Sequence, residues 1–234
     1  MFKFSENIFF HPNGGVVINN HKSIVISDLH IGMEESSLSL TRIQTSHMLK
    51  KLDGMIEESK AKRIILNGDI KHGFGKDIKQ EWDEIRLFVK SIEERGLNIV
   101  VIKGNHDNYI ENILGKESKT YVDLGDIYIT HGHMNFKPKK LTIIGNEHPI
   151  IKIRDEIGTV MRIPVFMYIK ELNIIVTPAF NPLSRGSNIL ELNSRNLMSP
   201  VLKNIDINKV IVYAINGNEI LYMSTVGDIK SHLK

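Results

Sequence analysis

Three short apolar runs, at residues 23–27, 63–66 and 97–102, alternate with two longer stretches whose apolar residues recur at helical spacing. In residues 38–60 the apolar positions are Leu38, Ile43, Met48, Leu52, Met55 and Ile56, with charged residues between them. In residues 78–95 they are Ile78, Trp82, Ile85, Phe88, Val89 and Ile92, and Gly96 stops the pattern. This is a β-α-β-α-β order. Strands that are apolar throughout, rather than alternating, imply a parallel sheet covered on both faces. No other feature narrows the fold as much.

The flanking sequence extends this frame. Residues 8–10 and 16–18 flank Pro12-Asn13-Gly14-Gly15 and predict an opening β-hairpin. Beyond residue 120 the helical spacing gives way to strand-like segments at 126–130, 141–144, 150–154, 162–170 and 173–177, joined by short turns. A closing hairpin is expected at 210–215 and 219–223 around Asn216-Gly217-Asn218. The second half therefore predicts a second, mainly antiparallel sheet. No linker, repeat or low-complexity segment interrupts the chain. The expectation is an α/β fold of two stacked mixed β-sheets flanked by helices, a single domain over residues 1–234.

Composition excludes several classes. At 234 residues and 41% apolar the chain can bury a real core. With no cysteine, disulfides and thiolate metal sites are ruled out, and a reducing cytoplasmic setting is the expectation. The opening MFKFSENIFF is too short and polar for a signal peptide, and no apolar run approaches the ~20 residues of a spanning helix, so no membrane role is expected. A net charge of +3 permits a polyanionic partner without arguing for one.

The chemistry lies where the strands end. The first three runs finish in Asp28-Leu29-His30, in Asn67-Gly68-Asp69-Ile70-Lys71-His72 and in Gly104-Asn105-His106-Asp107. Two later strands finish in Thr130-His131-Gly132-His133 and Gly145-Asn146-Glu147-His148. In open α/β sheets the carboxyl ends of the strands are where ligands bind. Imidazole and carboxylate without sulfur suit Zn, Mn, Fe or similar divalent ions. A carboxylate such as Asp69 can bridge two ions, which together clamp a phosphoryl oxygen. Taken singly, Asp-x-His or Gly-Asp is ordinary turn chemistry. Five such clusters after five predicted strands are not.

D-L-H, G-D-x-x-H, G-N-H-D, H-G-H and G-x-E-H resemble the five signature motifs of the calcineurin-like metallophosphoesterases. The stretches ITHGH, IIGNEHP and PAFNPLSRG resemble most the archaeal phosphoesterases related to the SbcD nuclease. The resemblance implies a two-sheet sandwich and a two-metal phosphoesterase. It implies that Asp28, His30 and His148 hold one ion, that Asn105, His131 and Asn146 hold the other, and that Asp69 bridges them. His106 matches the family's catalytic acid, Asp107 is expected to orient it, and His72 matches a second substrate-facing histidine of the related nucleases. His133 is divided between supporting the metal ligands and facing solvent or substrate.

One position departs from the family pattern: Asn146 stands where an imidazole is expected. Its weaker, harder amide oxygen implies a weak second site and shifts the expected ions to Mn, with Zn, Fe, Ni or Mg as others. Glu147 is expected to be a solvent-facing spacer. Lys139, in the basic loop 137–140, and Arg185 are candidates for phosphate contact, each with a solvated-loop alternative. The expected partner is a phosphoester, with nucleic acid among the candidates. The readings are a metal-dependent phosphodiesterase, a phosphomonoesterase or nucleotidase, or a non-catalytic scaffold of the same fold.

Overall fold

The computed structural model describes residues 1–33, 41–73, 79–138, 140–154 and 158–233. A six-stranded sheet carries, in spatial order, β1 (Phe2–Lys3), β2 (Ile8–Phe10), β3 (Val16–Ile18), β4 (Ser23–Ile26), β5 (Arg63–Asn67) and β6 (Asn98–Ile102). The opening hairpin pairs Ile8 with Ile18 and Phe10 with Val16. From β4 to β6 the strands are parallel, with Ile24 beside Ile64 and Ile64 beside Ile99. The crossovers are α1 (Thr41–Ser59) and α2 (Lys79–Glu93). Of the residues expected to begin these helices, Leu38 and Ile78 lie outside the described residues. Ile43, expected on the buried stripe of α1, is instead 63% exposed; the apolar face that meets the sheet begins at Met48.

The second sheet contains β7 (Tyr121–Asp123), β8 (Ile127–Thr130), β9 (Leu141–Ile144), β10 (Pro149–Arg154), β11 (Val160–Ile169), β12 (Ile174–Val176), β13 (Ser187–Asn188), β14 (Ile211–Asn216) and β15 (Glu219–Thr225). Most of its pairings are antiparallel, including the closing hairpin β14–β15. However, β8–β9, β9–β12 and β10–β13 run parallel, so this sheet is mixed like the first. Two short helices are not legible in the sequence. The first, α3 (Ile110–Leu114), is bounded by left-handed residues at Tyr109 and Gly115. The second, α4 (Val226–His232), starts on a capping box of Thr225 and Asp228.

Side-chain alternation makes each central strand serve two cores. Ile24 and Ile26 of β4 and Ile64 and Leu66 of β5 pack with Met48 and Leu52 of α1 and Ile85 and Phe88 of α2. Their neighbours Val25 and Ile65 face the other way and meet Ile129, Ile143, Phe166 and Ile175 of the second sheet. Phe10 and Phe166 stack across this shared core at 4.4 Å, and burying a side chain of that size contributes about 1.5–3 kcal/mol. On the far side of the second sheet, Val165, Met167, Ile174 and Val176 pack under Leu197, Leu202, Val226 and Ile229. The order is helices, sheet, sheet, and an outer layer of short helices. Parallel strands of both sheets therefore end at one rim.

Candidate metal centre

Every polar cluster singled out in the sequence lies just past one of these strands. Asp28 and His30 follow β4, Asp69 and His72 follow β5, and Asn105 and His106 follow β6. His131 follows β8, and Asn146 and His148 follow β9. The chain turns sharply at these ends. Asp28, His30, Asp69, Asn146 and His148 all have left-handed backbones, with φ of 58°, 40°, 48°, 69° and 46°. For residues other than glycine that conformation costs roughly 1–2 kcal/mol each, least for Asn and Asp, and such strain persists where a site over-determines the backbone. The loops are tied together: the amide of Asp28 donates to the Gly68 carbonyl (3.1 Å) and that of His30 to the Asp69 carbonyl (2.8 Å). Close approach also explains Gly104, where a Cβ would lie 2.2 Å from Asp69 Oδ1.

The side chains converge on one buried volume. Asp28 Oδ1 lies 2.9 Å from His131 Nε2 and 3.2 Å from His148 Nε2. His30 Nε2 is 3.3 Å from His148 Nε2 and 3.7 Å from Asp69 Oδ2. Asp69 Oδ2 is 3.8 Å from His131 Nε2 and 3.9 Å from His106 Nε2, while Asp69 Oδ1 accepts the amide of His106 at 2.9 Å. The ligating atoms fall into compact groups: Asp28, His30 and His148; Asp28, Asp69 and His131; and His30, His72 and His106. Asp28 belongs to two of these groups, and Asp69 Oδ2 reaches His30 and His131 almost equally.

The electrostatics suit a cation. Burial pushes the Asp28 carboxyl up, but His148 and His131 beside it hold it well below the usual carboxylate range. Burial also lowers His131 and His148, but the charge and hydrogen bonding of Asp28, with Asp69 adding to them, together raise both. His30 is pushed down to about 3, chiefly by burial, against the pull of Asp28. A neutral imidazole beside two carboxylates is a ready metal ligand. His30 Nε2 and His148 Nε2 face each other at 3.3 Å, close enough for one cation to take both as ligands. The donor set therefore fits a divalent ion.

Around this centre the sequence expectations divide. His106 Nδ1 donates to the carbonyl of His72 at 2.7 Å. The His72 ring stacks 6.0 Å from that of His106, and its Nδ1 is buried without a partner among the described residues. Asp107, expected to orient His106, accepts the amides of Ile70 (2.8 Å), Lys71 (3.1 Å) and Gly104 (2.8 Å) on its buried carboxylate, and so pins the Asp69 loop to the Asn105 loop. Burial raises Asp107 to about 6 against the pull of those amides. The expectation for Glu147, a solvent-facing spacer, is corrected. Glu147 is 1% exposed and accepts the amides of Met198 and Ser199.

His133 Nδ1 meets His131 Nδ1 at 3.0 Å, so it fixes the far side of that ring. Asn146 donates its backbone amide to Asp28 and its side-chain nitrogen to Ser199 Oγ at 3.2 Å. Asn105 and Arg185 are exposed, and Arg185 follows Ser184, whose hydroxyl lies 3.3 Å from His148 Nδ1. Lys139 lies outside the described residues.

Further residues outside the strand-end clusters support the site. Asn181 donates to the His30 carbonyl. Glu81, fully buried near the start of α2, accepts the amides of His72 and Gly73 and pairs with the buried Lys71 at 3.7 Å. Only Ser184 and Asn181 have a signal, in the NPLSRG stretch; a glutamate on a helix reads as solvated until tertiary structure buries it.

A family model described as calcineurin-like phosphoesterase matches residues 21–212. Among solved structures, a nuclease named MPE from Pseudomonas putida is similar over 92% of this chain and 94% of its own, at 18% identity and a TM-score of 0.66. The fold is thus shared. The phosphoesterase YfcE of E. coli overlaps 87% of this chain and 98% of its own at 14% identity, with a TM-score of 0.43 that is too loose to bear on the fold. No curated protein sequence matches.

Proposed function

The chain belongs to the calcineurin-like phosphoesterases, and on that footing we propose that it hydrolyses phosphodiester bonds, those of nucleic acid among them, at a two-metal site in the cytoplasm. The observation that carries the reading is the convergence of Asp28, His30, Asp69, His131 and His148 with His106 Nε2 at the edge, 3.9 Å from Asp69. Asp28, His30 and His148 would hold one ion, Asn105, His131 and Asn146 a second, and Asp69 both. With nitrogen and oxygen ligands and no sulfur, Mn²⁺ suits the set best, ahead of Zn, Fe, Ni or Mg. Ions so held supply charge neutralisation and an activated water nucleophile at neutral pH.

The protein's own part falls to His106. The His72 carbonyl can only accept, so Nδ1 of His106 must carry its proton. The ring therefore offers Nε2 to the departing oxygen, and a protonated Nε2 delivers the proton the alcohol needs. The His72 ring, stacked beside it, gives the leaving-group side a second imidazole. That pair, together with the nuclease among the structures of this fold, favours a diester over a monoester. Hydrolysis of bis-p-nitrophenyl phosphate beside p-nitrophenyl phosphate tests this. The reading expects saturable, metal-dependent turnover of the diester in preference to the monoester. Absence of turnover with Mn²⁺, Zn²⁺, Fe²⁺ and Ni²⁺ alike would leave only a scaffold of this fold.

A further inference from the structure

A cavity of about 320 Å³ adjoins the candidate metal centre, and His148 lines it. Its other polar lining comes from Lys51, His47, Asn13, Asn181 and Ser184, and no carboxylate lines it among the described residues. Lys51 stands mid-way along α1. Its ammonium donates to the Phe180 carbonyl at 2.8 Å and sits 4.4 Å from the centre of that ring. No carboxylate among the described residues pairs with it. Burial lowers Lys51 to about 8. An ammonium has three donors, and among the described residues the Phe180 carbonyl takes one of them. A partly buried cation without a counter-charge among the described residues is poorly stabilised, and an anionic ligand in the cavity would supply that charge.

The segment that anchors Lys51 also buttresses the metal-ligand loop. The Phe180 amide donates to the Ser27 carbonyl at 2.8 Å, and Asn181 Nδ2 donates to the His30 carbonyl at 3.3 Å. An anion on Lys51 would therefore lie next to a phosphate held at the metals.

We propose that this cavity is an anion subsite in which Lys51 receives a second phosphate of the substrate, adjacent to the one being cleaved. The proposal rests on the phosphodiesterase reading above and narrows it to substrates with neighbouring phosphates, the chemistry of a nucleotide chain. Pro149, Pro178 and Pro182 give the cavity an apolar wall for the uncharged part of such a substrate.

The test uses the full Mn²⁺-loaded chain on a 5′-phosphorylated dinucleotide and on bis-p-nitrophenyl phosphate, which carries a single phosphate. Lys51→Gln keeps a donor for the Phe180 carbonyl but removes the charge. It should lower the ratio of kcat/KM for the dinucleotide to that for the single-phosphate substrate by about tenfold or more, through KM, as expected for loss of a charged hydrogen bond. Lys51→Arg should restore most of the ratio. An unchanged ratio overturns the subsite, and an equal fall on both substrates shows that Lys51 only props Phe180. If the parent cleaves neither substrate, the phosphodiesterase reading fails by itself. Calorimetric binding of inorganic pyrophosphate then decides the subsite: binding about tenfold weaker in Lys51→Gln supports it, and equal binding overturns it.

Discussion

The two sides of the metal centre are built from different chemistry on the same scaffold. On one side His30 and His148 bring imidazole nitrogens to 3.3 Å of each other, with the Asp28 carboxylate 3.2 Å from His148. On the other, His131 is the sole imidazole in the expected set, and its partners there are the amides Asn105 and Asn146. Asn105 is exposed, and Asn146 has its side-chain nitrogen on Ser199. Both sides hang from strand ends, with left-handed backbones at Asp28, His30 and His148 on the first side and at Asn146 on the second. Ligand type distinguishes them: an amide oxygen is neutral and less basic than imidazole. On the proposed reading, the contrast implies a stronger and a weaker cation site sharing one carboxylate-centred frame.

Breaking the frame itself should have the largest effect. Asp69 lies between the two sides, so Asp69→Ala should lose both ions and lower activity by more than roughly 10³-fold. Metal analysis of the purified variant reads this directly, and two retained ions would refute the bridging role. Next comes His106→Ala, which leaves both sides standing while removing the acid. Turnover should fall by roughly 10²–10⁴-fold with metal content unchanged. Activity within a few-fold of the parent would take His106 out of the mechanism.

The smallest effect is expected on the Asn146 side. Glu147 holds the amides of Met198 and Ser199, and Ser199 in turn holds Asn146. Glu147→Ala should lower stability by about 1–3 kcal/mol, the cost of buried donors left unmet. It should also raise the Mn²⁺ needed for half-maximal activity. Denaturant unfolding and a metal titration check the two parts, and a variant as stable as the parent would return Glu147 to the role of a spacer.

Glu147, a spacer by sequence and a buried anchor in the structure, marks where sequence legibility ends. The parallel strands announce themselves because Ile24-Val25-Ile26 and Ile64-Ile65-Leu66 are apolar on both faces. A strand end fixes the position of the next few residues, and Asp28, His30, Asp69, His131 and His148 are readable for that reason. Asp107, Glu147 and Glu81 are not. Each carboxylate is buried against backbone amides of another segment of the chain, and nothing in the local pattern shows those donors. The same limit hides the parallel pairings β8–β9 and β9–β12, which join strands by neighbours rather than by hairpins. It also hides Lys51, which in sequence is one charged residue among several on a helix.

The asymmetry of the two sides is the central claim, and one measurement addresses it most directly: calorimetric titration of metal-free parent and Asn146→His with Mn²⁺. The account predicts two unequal steps in the parent, with the second ion bound at least roughly tenfold more weakly. It predicts a tightened second step in Asn146→His. Two equal steps in the parent, or the same second-step affinity in both proteins, would contradict it.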